Sequence, residues 1–222
     1  MEAVVKFGGS LAEDKAGLKS LCMELGRLAK SHRILVVPGG GRLSDAVREF
    51  DRMHGLSSAV SHKMAILSMD QYGLFLSDVT PGARPVYTLE RAEELAEAGE
   101  LPVLLPSRLM FEVEALEHSW DVTSDSIAAY IAGLIRAEKL VLVTDVDGIF
   151  TDDPKKVSKA ELMGEISVGA LLRLGRRTSV DPFLPKLLME IDVDCYVVNG
   201  RHLRRIGAIL RGEKTISTRI VR

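Results

Sequence analysis

Three short runs in the sequence carry residue types suited to handling phosphate. Lys6 stands inside an apolar run, residues 3–7, and is followed at once by Gly8, Gly9 and Ser10. A lysine in a short buried strand is costly unless its ammonium reaches a polar site at the strand's end, so Lys6 is expected to point at a ligand. Gly39, Gly40 and Gly41 follow a second apolar run, residues 33–37, and precede a helical pattern. Glycines at strand ends let backbone N–H groups approach oxygen atoms with no side chain between them. The third run is Leu142-Val143-Thr144-Asp145-Val146-Asp147-Gly148-Ile149-Phe150-Thr151-Asp152-Asp153-Pro154-Lys155. Together these residues suit phosphoryl transfer, which needs a phosphate cradle, cations to offset developing charge, and an in-line approach of acceptor to donor.

Neither glycine run matches a common nucleotide fingerprint. Gly39-Gly40-Gly41-Arg42-Leu43-Ser44 lacks the last glycine of the dinucleotide motif and follows the second strand, not the first. No Gly-Lys-Ser/Thr follows it, so it is not a Walker loop. A Rossmann oxidoreductase is correspondingly disfavoured. Elsewhere, His118-Ser119-Trp120-Asp121-Val122-Thr123-Ser124-Asp125 leads into a helix. Ser124 or Thr123 suits its N-cap. Asp121 and Asp125 suit an ammonium group or a metal-bound phosphate, and His118 and Trp120 could close the pocket. His62, Ala65, Ile66 and Met69 share one helical face, a pattern that also describes a plain core stripe.

The elements that must position these residues read as alternating strands and helices. Strands are expected over residues 3–7, 33–37, 85–87, 101–105, 139–144 and 194–198, with a closing strand pair or extended tail over 214–221. Helices are expected over 14–30, 44–53, 58–76, 89–98, 124–136, 168–174, 185–191 and 203–210, and a polar loop over 145–156. This order predicts an α/β fold: a three-layer α-β-α sandwich with a mostly parallel central sheet. With no internal repeat or tether, residues 1–222 read as one domain.

Composition narrows the function classes. A net charge of −2 gives no broadly basic surface for nucleic acid. The N-terminus shows no signal-peptide pattern and no apolar run is long enough to span a membrane, so a soluble cytoplasmic protein is expected. Cys22 and Cys195 fit neither a zinc site nor a disulfide framework and are expected as buried thiols.

The third run closely resembles the ATP-binding signature of the amino acid kinase superfamily, a strand ending in Thr-Asp-Val-Asp-Gly-Val/Ile-Tyr/Phe-Thr-x-Asp-Pro. The Lys6-to-Ser10 opening and the triple glycine stand in that superfamily's order. The resemblance implies a domain with an acceptor-side lobe at about 1–137 and a nucleotide-side lobe at about 138–222. It implies that Lys6 contacts the transferred phosphate and that Gly8, Gly9 and Ser10 bind ATP phosphates. It further implies that Asp145 orients the catalytic lysines, and that Thr144, Gly148, Phe150 and Asp153 line the nucleotide pocket. Lys186 takes the place of a second catalytic lysine, although Asp181-Pro182-Phe183-Leu184-Pro185 stands where the superfamily usually has a glycine-rich turn. Gly39, Gly40, Gly41, His62, Asp121, Ser124 and Asp125 are the candidate acceptor-binding residues. ATP and Mg2+ are the expected cofactors, a homo-oligomer the expected assembly, and no metal ligand is assigned to the chain itself. His62, the Met69-Asp70-Gln71-Tyr72 string and the Trp120-to-Ser126 string resemble one branch, which phosphorylates an (aminomethyl)furanylmethyl phosphate in methanofuran biosynthesis. Isopentenyl phosphate, a nucleoside monophosphate, carbamate or an amino-acid carboxylate are alternative acceptors within the superfamily. A non-catalytic nucleotide-binding or storage protein is the alternative from another class.

Overall fold

The computed structural model describes residues 1–175 and 177–222. Strand β1 (Ala3–Phe7) leads through a 3-10 turn (Gly9–Glu13) into α1 (Lys15–Leu28). Then come β2 (Ile34–Pro38), α2 (Gly41–His54), α3 (Ser58–Val79), β3 (Ala83–Val86), α4 (Leu89–Glu97), β4 (Leu101–Leu104), α5 (Ser107–Val113) and α6 (Ser124–Leu134). The second half holds β5 (Lys139–Thr144), β6 (Ile149–Phe150), β7 (Leu162–Met163), β8 (Glu165–Ser167), α7 (Val168–Leu174), α8 (Leu184–Glu190), β9 (Asp194–Asn199), α9 (Arg204–Leu210) and β10 (Thr218–Val221). Several helices start where a short polar side chain caps them. Asp14, Ser57, Thr88 and Ser167 each accept a hydrogen bond from a first-turn backbone N–H.

Eight strands form one sheet in the order β3-β4-β2-β1-β5-β9-β10-β8. Pairing is parallel except between β9 and β10. β1 lies between β2 and β5, with Ala3 beside both Ile34 and Lys139. Alternate residues of the central strands feed two cores. Val4, Leu35, Leu140 and Leu142 pack under α4, α6 and α8, while Val5, Phe7, Val141 and Val143 pack under α1, α9 and part of α3. The result is the three-layer sandwich that the alternation of elements predicts. Cys22 and Cys195 are both buried and free.

Several boundaries differ from the sequence reading. α2 begins at Gly41, not residue 44, so the triple glycine runs directly into the helix. α6 stops at Leu134, two residues short of the expected end. The expected loop over 145–156 contains β6, which pairs with β7 to form a small separate hairpin. Residues 214–221 yield one strand, β10, antiparallel to β9. Helix α5 was not read at all. It has one buried residue, Met110, and it is anchored from outside: Ser107 donates its backbone N–H (3.0 Å) and its hydroxyl to the carboxylate of Asp70 on α3. Among the described residues no helix is long and apolar enough to cross a membrane.

Candidate active site

The carboxyl ends of the parallel strands open onto two adjoining clefts. The first, of about 390 Å³, receives Lys6 from β1, the turn after β1, the triple glycine after β2, and the start of α6. Its floor depends on close backbone approach. A Cβ on Gly9 would lie 2.3 Å from the Cα of Gly41, and Gly41 itself has φ +52°, so both positions require glycine.

Lys6 is held by a buried carboxylate. Its Nζ lies 2.8 Å from Oδ1 of Asp125, with side chains 12% and 7% exposed. The contact is an ion pair without hydrogen-bond alignment, since Oδ1 has no aligned donor. Burial pushes the Asp125 carboxyl up and the Lys6 charge pulls against it. Behind Asp125 sits Asp181, 1% exposed. Its Oδ2 accepts from Thr123 N (2.9 Å), Thr123 Oγ1 (2.8 Å) and Ser126 N (3.0 Å). Its Oδ1 accepts from Ser126 Oγ (2.6 Å), Phe183 N (3.1 Å) and Leu184 N (2.8 Å). Its own N–H donates to Oδ2 of Asp125 at 3.1 Å. One carboxylate thus ties the start of α6 to the start of α8 and fixes the partner of Lys6.

The far wall of this cleft is built around Trp120. Its indole N–H donates to Asp51 at 2.7 Å, and the Arg48 guanidinium lies 4.2 Å from the ring centroid. Arg48 and Asp51 share one face of α2. Beyond Trp120 lies an adjoining cavity of about 270 Å³, which shares His62, Ala65, Trp120 and Val122 with the first cleft. His62 and His118 stack there with ring centroids 4.8 Å apart. Burial, with the charges of His118 and Lys63 adding to it, lowers His62 to about 4, so its imidazole is neutral at pH 7.

The second cleft, of about 330 Å³, forms at the end of β5 and the loop around β6. Thr144, Asp145, Gly148, Phe150 and Asp153 line it together with Lys155. Lys155 Nζ donates to Oδ2 of Asp145 at 2.6 Å. Burial pushes the Asp145 carboxyl up, but the Lys155 hydrogen bond and charge outweigh it and hold the group below the usual carboxylate range. Asp147, in the same signature, faces away to Arg205 (2.6 Å) and Asn199 (3.0 Å), pinning this loop to β9 and α9.

The structure therefore gathers most of the residues singled out from sequence, with some changed surroundings. Lys6, Gly9, Ser10, Gly39, Gly40, Gly41, His62, Ser124 and Asp125 all line the first cleft. Gly8 donates its N–H to the Val143 carbonyl at 2.9 Å. Asp145 pairs with Lys155, not with Lys6 or Lys186. Lys186 lines neither cleft: its ammonium is 3.7 Å from Glu117 and 4.9 Å from the Phe183 ring centroid. Asp121 lies outside both clefts and the adjoining cavity. Sequence reasoning passed over Arg48, Asp51, Lys155, Arg177 and Asp181. Lys155 at least stood directly after the signature; the others are brought in by contacts between distant elements.

The mostly parallel sheet, the two clefts at its carboxyl edge and the buried lysine of the first define an ATP-dependent phosphotransferase. The chain belongs to the amino acid kinase family, whose model matches residues 1–199. Among curated proteins it is 37% identical, over 98% of its length and 97% of the relative's, to [5-(aminomethyl)furan-3-yl]methyl phosphate kinase from Methanocaldococcus jannaschii. It is 29% identical, over 93% of each chain, to uridylate kinase from Methanothrix thermoacetophila. Among solved structures, uridylate kinase from Archaeoglobus fulgidus superposes with a TM-score of 0.78 at 23% identity, covering all of both chains. Isopentenyl phosphate kinase from T. acidophilum superposes with a TM-score of 0.66 at 22% identity, covering 99% of this chain and all of that one.

Proposed function

We propose that the enzyme transfers the γ-phosphoryl group of ATP to the phosphate of a small phosphomonoester that carries a primary amine, an (aminomethyl)furanylmethyl phosphate, giving a diphosphate. The observation that carries this reading is the charge left in the first cleft. Lys6 is paired with Asp125 and Arg42 with Glu13, so Arg48 and Arg177 stand against Asp45 alone. A surplus of guanidinium suits an acceptor phosphate. The ammonium of such an acceptor has Asp45 in the cleft, or Asp51 in the adjoining cavity, as its partner. The 37% identity over nearly the full chain supports the same acceptor.

In this reading the acceptor-side cleft belongs mainly to residues before 138 and the nucleotide-side cleft to those after it. An acceptor phosphate oxygen is already anionic and attacks the γ-phosphorus directly, so no general base is required. Lys6 offsets charge on the transferred group, and the neutral imidazole of His62 offers a hydrogen bond without a full charge. Mg2+ enters with the nucleotide, held chiefly through its phosphates. Asp152 and Asp153 line the second cleft and are the carboxylates that would approach that ion. We further place the enzyme in the cytoplasm as a homo-oligomer. Val60, Leu67 and Leu74, exposed at seven-residue spacing along α3, support assembly, and sedimentation equilibrium tests it.

ADP release measured against a panel of acceptors tests the substrate. The panel is (aminomethyl)furanylmethyl phosphate, isopentenyl phosphate, uridine monophosphate, aspartate and carbamate. The first should give the highest kcat/KM, by about 10-fold or more. A higher value with uridine monophosphate or isopentenyl phosphate overturns the acceptor assignment.

A further inference from the structure

The two clefts share Arg177 and Ser179, and neither side chain has a hydrogen-bond or ion-pair partner among the described residues. Ser179 Oγ is buried with no hydrogen-bond partner. Arg177, on the exposed loop between α7 and α8, has no carboxylate within ion-pair reach among the described residues. Arg48 feels its charge across the first cleft: burial lowers the Arg48 guanidinium, and Arg177 lowers it further. Two guanidinium groups that repel each other, with Asp45 as the one carboxylate of the cleft set against both, are a place prepared for an anion. The other cations are already engaged. Lys6 is neutralised by Asp125, Lys155 by Asp145, and Lys186 is turned to Glu117.

We infer that Arg177 is a catalytic residue of the transfer step, and that Ser179 donates beside it, at the point where the phosphoryl group passes from the nucleotide cleft to the acceptor cleft. This rests on the phosphoryl-transfer reading above. In that step a bond forms between an acceptor oxygen and the γ-phosphorus. The bond to the β,γ-bridging oxygen breaks, and its electron pair leaves with ADP. Negative charge spreads over the three equatorial oxygens of the group in flight. A guanidinium fork can hold two of those oxygens at once, which a single ammonium cannot. Arg177 need break no ion pair to do so. Lys6, fixed by Asp125, offsets charge from the acceptor side, and Arg177 adds a positive charge that no carboxylate among the described residues already neutralises.

Steady-state kinetics on the full-length enzyme test this. Arg177→Ala should lower kcat by about 1,000-fold while both KM values stay within about threefold. Arg177→Lys should recover only part of the loss, and added guanidinium should partly rescue Arg177→Ala. Ser179→Ala should lower kcat by about 100-fold, and Lys186→Ala by no more than about threefold. Circular dichroism should show every variant folded, since the Arg177 side chain is on an exposed loop. A second measurement needs no acceptor: wild-type enzyme should bind ADP with aluminium fluoride more tightly than ADP alone, and Arg177→Ala should bind both equally. Turnover of Arg177→Ala within about 10-fold of wild type overturns the inference, as does retained preference for ADP with aluminium fluoride, or a larger loss in Lys186→Ala. If no phosphomonoester is phosphorylated, the acceptor reading falls and the fluoroaluminate comparison still decides the role of Arg177.

Discussion

Lys6 and Asp125 face each other at 2.8 Å inside the protein, and this makes the lysine structural as well as chemical. Removing it strands a carboxylate that is 5% exposed, a loss of about 3–5 kcal/mol when the charge stays unpaired. The Asp125 carboxyl already sits above its ordinary value through burial. A raised folded-state value favours folding at low pH, and that contribution disappears as pH rises through it. Without Lys6 the value rises further. Lys6→Met should therefore lower the urea midpoint more at pH 8 than at pH 5; an equal deficit at both would show that Asp125 is not the group stranded. His62 works in the opposite direction. Its folded value of about 4 lies below the ordinary 6.5, so its contribution is full above pH 6.5 and is lost as pH falls toward 4. Unfolding free energy should drop by up to about 3 kcal/mol across that window. His62→Gln should flatten the drop, and a phosphate-bearing acceptor, which favours the imidazolium and so raises the folded value, should shrink it. At this scale the sequence was informative about residue type. A lysine in an apolar strand demanded a polar destination, but nothing local identified that destination as Asp125.

Between elements, the decisive contacts join segments far apart in the chain. Asp181 stood out in the sequence only as part of an unusual run before Lys186. Its meaning appears once α6 and α8 lie side by side, where six donors converge on its two oxygens. Asp181→Asn should be destabilised by about 2–4 kcal/mol, because an amide cannot accept all six and presents donors to other donors. Turnover should also fall, since Asp125 loses the backbone N–H that fixes it. Stability near wild type would show that α6 and α8 are held together elsewhere. The strand-end glycine runs were legible because their demand is local: a loop that must approach another backbone leaves no room for Cβ. Helix α5 was illegible for the converse reason, since a seven-residue segment held by Asp70 of α3 has no strong period of its own. The triple glycine hid the true start of α2 in the same way, because glycine is read as a breaker even where tertiary contacts carry the helix into it.

Over the whole molecule, the parallel order of β2, β1, β5 and β9 delivers four loops to one edge, and that edge is where both clefts open. The alternation of elements in the sequence was enough to anticipate that edge. It could not anticipate that the loop before α8 would fold back over the junction and place Arg177 and Ser179 in both clefts. The division of labour proposed for the clefts has a direct thermodynamic consequence. ATP at about 100 times its Kd should stabilise the folded state by about 2.7 kcal/mol, which for a chain of this size raises Tm by roughly 5–10 °C. NAD should give no comparable shift. Lys155→Ala should reduce the ATP-dependent shift, because Lys155 and its partner Asp145 line only the second cleft, the one proposed for the nucleotide. The same variant should leave the shift produced by the acceptor phosphate unchanged, because neither residue borders the first cleft. Its Tm without ligand should also be near wild type, since the Lys155 side chain is 62% exposed. If Lys155→Ala weakened the acceptor shift as much as the ATP shift, the two clefts would have to be treated as one coupled site rather than two compartments that meet at Arg177.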